Sequence, residues 1–252
     1  MGIADRDYLR SPSSPTTTFG SARMWSFNTW LIIVNVAVFV LDNILFRSGF
    51  AVNVRILADG ELIAQQPMGP LTYLGHFSAL TAIYHLQIWR FITFQFLHVS
   101  GQHLFFNMIG LFFFGPMIEN YLGSRRYLAF YLLCGIAGAF SYLILWSAHI
   151  LIDSPWTQLV GASAGIFGVL IAAAQVAPDA TILIYGIIPM RLRMMAYILL
   201  GIAVYTVFTA GTNAGGEAAH LGGAVAGFAL IKNPRVLNFF EFRPRPRMRY
   251  RP

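Results

Sequence analysis

Six apolar stretches follow one another along the chain from residue 27 onward, separated by polar or mixed segments. A transmembrane helix needs about 20 mostly apolar residues, and these stretches approach that length. They lie near residues 27–46, 102–119, 127–148, 162–177, 194–210 and 217–232. The pattern predicts an all-α membrane protein, a six-transmembrane-helix bundle with both termini on the same side of the bilayer.

The segments outside these stretches differ in character. Residues 1–26 are polar and rich in Ser, Thr and Pro, which predicts a mobile tail, and they contain no cleavable signal peptide pattern. Residues 47–101 form a connection too long for a simple turn, which favours a functional or ordered loop. The stretch 178–193 is apolar but broken by proline and arginine, so we expect it at the inner membrane interface. Residues 233–252 form a basic tail rich in Arg and Pro.

Composition supports the membrane assignment. The chain is 57% hydrophobic and only 11% charged, whereas a soluble domain carries about 25% charged residues. Its 252 residues suit one compact domain. The single cysteine, Cys134, lies in an apolar stretch and is expected to be a buried, inert thiol.

Positive charge is distributed asymmetrically. Fourteen of the 17 Lys and Arg residues fall in residues 1–26, 120–126, 178–193 and 232–252, and three fall in the alternate links. The positive-inside rule therefore predicts that both termini are cytoplasmic. A basic tail beside a membrane helix favours contact with anionic lipid over binding of nucleic acid.

Ser163 stands in the stretch GASAGIFG, framed as G-x-S-x-G. The charge pattern puts it at the outer, N-terminal end of the fourth apolar stretch. A helix N-terminus offers free backbone N–H groups and a partial positive charge, both of which suit an oxyanion. The alternative is that Ser163 only caps the helix, because serine is a favoured N-cap residue.

His220 is an ionisable residue at the outer end of the sixth stretch, where such a residue by default suggests function. Gly223 and Gly227 follow it, and small residues on two helices permit close approach. His220 would then reach Ser163 and activate it as a base. We assign no acidic residue of these two stretches as a third member, so the sequence predicts a dyad. The alternative is a histidine bonded to a backbone carbonyl.

The stretch HLFFNMIGLFFFGPMIE spaces five residues by four. On a helix this spacing places His103, Asn107, Leu111, Gly115 and Glu119 on a shallow spiral along one side. His103 and Asn107 lie at the outer end and can donate hydrogen bonds to an oxyanion. Glu119 lies at the inner end, where a structural hydrogen bond is the better interpretation. The whole spiral is also compatible with ordinary polar helix–helix contact.

These motifs together resemble the rhomboid family of intramembrane serine proteases over roughly residues 27–232. GASAGIFG resembles the family's nucleophile motif, and AHLGGAVAG resembles its A-H-x-x-G-x-x-x-G motif. HLFFNMIGLFFFGPMIE is similar to H-x-x-x-N-x-x-x-L-x-x-x-G-x-x-x-E. The pair Trp89–Arg90, followed by His98, resembles the first-loop motif.

The resemblance implies a serine endopeptidase that cleaves transmembrane segments near the outer face, with Ser163 as nucleophile and His220 as base. It implies oxyanion stabilisation by His103, Asn107 and the Ser163 backbone N–H. The residues given a structural role are Trp89, Arg90, His98, Gly115, Glu119, Gly161, Gly165, Gly168, Gly223 and Gly227. The implied partners are transmembrane substrates and the bilayer, and we expect no metal ion and no cofactor. Six spans imply the basic bacterial form, located in the inner membrane.

Three other functions stay open. A catalytically silent relative would act as a chaperone or retention factor for membrane proteins, but such relatives typically lack the serine or the histidine. A transporter would place its polar residues at mid-depth in broken helices. A soluble α/β-hydrolase would need a strand before G-x-S-x-G and an acid–histidine pair downstream, which the alternating apolar stretches and low charge argue against.

Overall fold

The computed structural model of the protein describes residues 26–58, 61–151, 154–184 and 186–240. The fold is mostly helical, as the apolar stretches predict. The helices are α1 (Phe27–Leu45), α2 (Pro70–Gly75), α3 (Arg90–Thr93), α4 (Gly101–Leu122), α5 (Ser124–Ser147), α6 (Ser163–Val176), α7 (Leu192–Phe208) and α8 (Ala214–Lys232). The predicted N-terminal tail through residue 25, and residues 241–252 of the basic tail, lie outside the described residues. The first part of that basic tail, Pro234–Phe240, is a 3-10 helix.

The expectation of a purely α-helical fold is wrong in the connections, where two antiparallel hairpins occur. Strand β1 (Val52–Ala58) pairs with β2 (Glu61–Met68), and β3 (Thr181–Ile184) pairs with β4 (Ile188–Arg191). β-Branched residues recur in both hairpins, and such residues favour extended backbone. The second hairpin occupies the stretch that we expected at the inner interface, and Gly186 in its turn has φ +73°, which suits glycine.

Helix α6 is the central helix, because ten of its fourteen residues are buried. Its small side chains let α8 pack against it closely. A Cβ atom on Gly227 would lie 2.5 Å from Gly168 Cα, and one on Gly223 would overlap the carbonyl of Ala164. The approach expected from the glycines of both stretches is therefore present, and it brings the N-terminal halves of α6 and α8 together.

The helices that surround α6 present large apolar side chains on their exposed faces. Examples are Phe112 on α4, Ile144 on α5 and Tyr205 on α7, which are 66%, 62% and 71% exposed. Contiguous apolar surface of this kind fits lipid better than water. Among the described helices, Phe27–Phe50 and Ser124–Ser147 are long and apolar enough to cross a membrane, and Ser163–Val176 and Leu192–Phe208 are shorter apolar helices. The count of six spans and the cytoplasmic termini stay predictions.

The C-terminal end of α4 is joined to the start of α1 through Glu119. Its two carboxylate oxygens accept hydrogen bonds from the backbone N–H groups of Phe27 (2.8 Å) and Asn28 (3.1 Å). The first N–H groups of a helix have no partner inside the helix, so Glu119 caps α1 from another helix. Gly115 makes room for this contact, because a Cβ atom there would overlap the Asn28 side chain.

The connection between α1 and α4 is ordered around Arg90, which is only 4% exposed. Its guanidinium donates hydrogen bonds to the carbonyl oxygens of His76 (2.5 Å) and Tyr73 (3.0 Å). The neighbouring Trp89 is half-exposed and donates its indole N–H to the carbonyl of Leu74 at 3.2 Å. Arg90 therefore satisfies backbone groups within this connection, which is a structural contact.

We expect Glu119→Ala and Arg90→Ala each to lower the free energy of unfolding by about 2 kcal/mol, since each leaves two backbone groups without a partner. For a chain of this size, that change lowers the apparent Tm by about 4–8 °C. Thermal unfolding in detergent would measure it, with the exposed residues Asn120 and Arg47, each replaced by alanine, as controls. An unchanged Tm together with lost function would instead give Glu119 or Arg90 a direct role.

Candidate active site

Ser163 is the first residue of α6, and Ala162 occupies the N-cap position before it. The Ser163 side chain makes no capping hydrogen bond of its own helix, so the alternative role of an N-cap is not observed. Gly161 approaches with φ +135°, a conformation that a residue with a side chain rarely adopts. This turn leads directly into α6, whose first backbone N–H groups have no partner inside the helix.

His220 lies on α8 and reaches Ser163 directly. Its Nε2 is 2.7 Å from Ser163 Oγ, a distance at which the imidazole can accept the hydroxyl proton. The ring stacks on Phe167 with 4.2 Å between ring centroids and 9° between planes. Phe167 lies one turn after Ser163 on α6. Helix α6 therefore contacts the imidazole twice, with Ser163 at the ring nitrogen Nε2 and Phe167 against one ring face. The alternative partner, a backbone carbonyl, is not what His220 contacts.

The expectation that no acidic residue joins Ser163 and His220 is wrong. Glu217 Oε2 is 2.8 Å from His220 Nδ1. Helix α8 begins at Ala214, so Glu217 lies in its first turn and precedes His220 by three residues. The sequence contained a usable signal, because residues three apart on a helix are neighbours. Because α8 begins at Ala214, the link between α7 and α8 covers only residues 209–213.

His103 lies in the first turn of α4, which is fixed by the side chain of Ser100: Ser100 Oγ accepts from the His103 N–H at 3.1 Å. A Cβ atom placed on Gly161 would lie 2.9 Å from His103 Nε2 and 3.4 Å from Ser163 Oγ. His103 Nε2 and Ser163 Oγ therefore flank the same glycine. The third predicted oxyanion group, Asn107, lies one turn further along α4 and lines the same cavity as Ser163.

Asn107 is buried, and its amide Nδ2 has no hydrogen-bond partner among the residues that the structure describes. Nδ1 of His103 is in the same condition within the described chain. Buried polar groups are nearly always satisfied, so each exception calls for an explanation. An Asn107 amide held ready to donate to a developing negative charge would explain the first, and a His103 tautomer that carries its hydrogen on Nε2 leaves Nδ1 without a hydrogen to donate.

His98 packs beside these groups without joining them by a hydrogen bond. It is buried, and its ring lies edge-to-face against His103 at a centroid distance of 5.0 Å. Burial, followed by repulsion from His103, lowers the pKa of His98 to about 3. A neutral His98 supports the position of the His103 ring by packing and adds no charge beside it.

A cavity of about 1310 Å³ opens over Ser163 and His220. It is bordered by α4, α6, α7 and α8 and is mostly apolar. Four small residues are among those that line it with Ser163, namely Gly161, Ala164, Gly216 and Ala219. The other predicted structural residues, Gly165 and Gly168, face away from this cavity and contact the side chains of Tyr131 and Cys134 on α5.

The Rhomboid domain family matches residues 85–232, which is more than half of the chain. The chain therefore belongs to the rhomboid family, an integral membrane family. It is 33% identical to Rhomboid protease AarA of Providencia stuartii over 172 residues, 62% of this chain and 60% of that one. It is 32% identical to Rhomboid protease GluP of Bacillus subtilis over 142 residues, 56% of this chain and 25% of the other.

A third relative bears on activity. Inactive RHOMBOID-like protein 8 of Arabidopsis thaliana is 28% identical over 164 residues, 58% of this chain and 44% of that protein. The matched region spans less than two thirds of each of these three relatives. Family membership thus includes proteins named as proteases and one named as inactive.

Proposed function

We propose that the protein is a serine endopeptidase that hydrolyses peptide bonds in transmembrane segments of other membrane proteins. The observation that carries the proposal is the 2.7 Å contact between Ser163 Oγ and His220 Nε2 at a cavity large enough for a polypeptide. Relatives named as rhomboid proteases support the same reaction class.

In the proposed reaction Ser163 Oγ attacks the scissile carbonyl carbon while His220 Nε2 takes the hydroxyl proton. The tetrahedral oxyanion is stabilised by the Ser163 backbone N–H, His103 Nε2 and Asn107 Nδ2. His220 then gives the proton to the leaving amine, and the acyl group remains on Ser163. Water, activated by His220, hydrolyses this ester and restores the serine.

Water must reach a site that lies among membrane helices. The proposed groups all belong to N-terminal parts of α4, α6 and α8: His103 is in a first turn, Ser163 is a first residue and His220 is in a second turn. If the six long helices cross the bilayer alternately, these ends share the outer face. The positive charge pattern supports the same topology, with both termini in the cytoplasm.

The proposed location is a bacterial inner membrane. The six-span domain of residues 27–232 would be embedded there as a multi-pass protein. The arginine-rich residues after 232 would contact anionic lipid of the cytoplasmic leaflet, where each basic residue contributes about 1 kcal/mol of attraction.

The second candidate function is that of a silent family member that binds membrane proteins without cleaving them. The observation that favours this second candidate is that one relative of the chain is named as inactive. The paired Ser163 and His220 side chains argue for the protease, because a silent protein has no need to keep a hydroxyl at hydrogen-bond distance from an imidazole.

Substrate selection provides the test of the proposed function. A transmembrane helix hides its carbonyl groups in internal hydrogen bonds, and lipid offers no replacement. We expect the purified protein in liposomes to cleave a single-span substrate with two glycines near the outer end of its span. Replacing both by leucine should slow cleavage by about 30-fold, since each glycine weakens a helix by about 1 kcal/mol.

The small residues around Ser163 also predict a small side chain, such as Ala or Ser, just before the scissile bond. Initial cleavage rates of the two spans, and mass spectrometry of the products, would measure both expectations. Equal rates for the two spans would remove helix instability as the selecting property. Absence of any cleavage of either span would favour the silent candidate.

A further inference from the structure

Three side chains form a continuous line of hydrogen bonds across the candidate active site. Ser163 Oγ lies 2.7 Å from His220 Nε2, and His220 Nδ1 lies 2.8 Å from Glu217 Oε2. We infer that Glu217 is a positioning residue that orients His220 and stabilises its protonated form during the reaction. This inference rests on the proposed protease function and adds a third member to the dyad.

The surroundings leave the imidazole little freedom. Phe167 covers one ring face, Ser163 meets one nitrogen and Glu217 meets the other. The side chains of His220 and Glu217 are only 13% and 20% exposed, so solvent competes weakly for their hydrogen bond. A carboxylate at Nδ1 can only accept, so it selects the neutral tautomer that carries its hydrogen on Nδ1. The lone pair of Nε2 then points at the Ser163 hydroxyl.

Charge completes the role. When Ser163 attacks, its proton moves to Nε2 and the imidazole becomes a cation, while Glu217 stays ionised and faces that cation. The proton then leaves on the amine product, so the carboxylate ends the cycle unchanged. Among the described residues that line the cavity, the other titratable side chain is His103, which acts as a neutral donor in the proposed reaction and brings no counter-charge. The carboxylate of Glu217 is the group that faces and stabilises the protonated His220.

A purely structural role for Glu217 is the competing explanation. An acidic residue in the first turn of a helix stabilises the helix dipole, and Glu217 lies in the first turn of α8. The two roles differ in what they change. Loss of helix stabilisation lowers Tm, whereas loss of a partner for His220 lowers kcat in molecules that remain folded.

The experiment compares Glu217→Gln, Glu217→Asp and Glu217→Ala with the full-length wild type in liposomes, using the single-span substrate with glycines. We expect Glu217→Gln to lower kcat by about 10- to 100-fold with KM unchanged, less than the about 10⁴-fold loss known for a fully buried acid of this kind. Glu217→Asp should recover part of kcat. Adding Glu217→Gln to His220→Ala should have no further effect, because the groups act as a unit.

The matched control is Asn213→Asp combined with Glu217→Gln. It returns a negative charge to the start of α8 without restoring a carboxylate at position 217, because Asn213 is the residue that precedes the helix. If this double variant recovers kcat, the helix-dipole explanation is correct and the inference is overturned. If it recovers only Tm, the inference is supported.

A second readout separates this inference from the proposed function. An Nδ1 proton held by a carboxylate gives a strongly deshielded proton NMR signal, which should be present in the wild type and absent in Glu217→Gln and His220→Ala. If the wild type shows the signal but cleaves nothing, the proposed function fails while the Glu217–His220 pairing stands. Cleavage with unchanged kcat in Glu217→Gln overturns the inference alone.

Discussion

Replacing Ser163 or His220 by alanine is expected to reduce cleavage of a transmembrane substrate to the background rate. Each change removes one half of the contact at 2.7 Å between hydroxyl and imidazole. Without His220 the serine is a weak nucleophile, and without Ser163 no acyl-enzyme can form. In soluble serine proteases such losses reach about 10⁶-fold in kcat. Here we expect a loss of at least about 10³-fold, limited by the assay.

The double variant should be little worse than either single one, because the two groups act as a unit. Covalent labelling with an activity-based serine-hydrolase probe, followed by mapping of the modified peptide, would measure nucleophile activation separately from turnover. Ser147→Ala and His85→Ala are suitable controls, since both side chains are exposed. Labelling of a serine other than Ser163, or turnover that persists in Ser163→Ala, would contradict the assignment.

The helices could be predicted from the sequence because their signal is local. Apolar stretches of sufficient length, ended by polar or glycine-containing links, mark each of the six long helices to within a few residues. The second hairpin was not predicted because its strands are four residues each and mostly apolar, and a short apolar run does not distinguish a strand from part of a helix. Pairing between Thr181 and Arg191, for example, depends on the geometry of the turn between them, which the pattern of hydrophobic residues does not reveal. The strands of the first hairpin are longer and mix apolar with polar residues without a regular alternation, so the pattern did not reveal them.

The site was predictable as far as its groups belong to motifs on separate helices. The small residues of α6 and α8 indicated that the helices approach, and the structure brings Ser163 and His220 together. The sequence predicted no third group because no acidic residue lies within the apolar part of either stretch. The relevant acid instead lies at the helix end, where a charged residue looks like an ordinary solvated or dipole-stabilising one.

Asn107→Ala is expected to lower kcat by about 100-fold while leaving KM nearly unchanged. Loss of one oxyanion donor costs about 2.7–4 kcal/mol in a well-studied protease, and the remaining donors, His103 Nε2 and the Ser163 N–H, keep the effect near the lower end. The effect falls on kcat because the negative charge on the oxygen exists only in the transition state. A change confined to KM would assign Asn107 to substrate binding.

Thermal stability provides the control for this prediction, because the buried residues Asn28 and Asn107 differ in their hydrogen-bond partners. Asn28 is satisfied: its Nδ2 donates to the Leu111 carbonyl at 3.0 Å, and its Oδ1 accepts from the Tyr127 hydroxyl at 2.6 Å. Asn107 Nδ2 has no such partner within the described part of the chain. Asn28→Ala should therefore lower the apparent Tm, since it leaves buried groups unpaired.

Asn107→Ala should leave the apparent Tm unchanged or raise it slightly, because it removes a buried donor that the resting protein does not satisfy. A residue that costs stability at rest and contributes only when charge develops on the substrate has a catalytic role. Parallel measurement of kcat and thermal unfolding for both variants decides the matter. If Asn107→Ala unfolds as readily as Asn28→Ala, its lost activity reflects a damaged fold, and the oxyanion site would reduce to His103 and the N–H of Ser163.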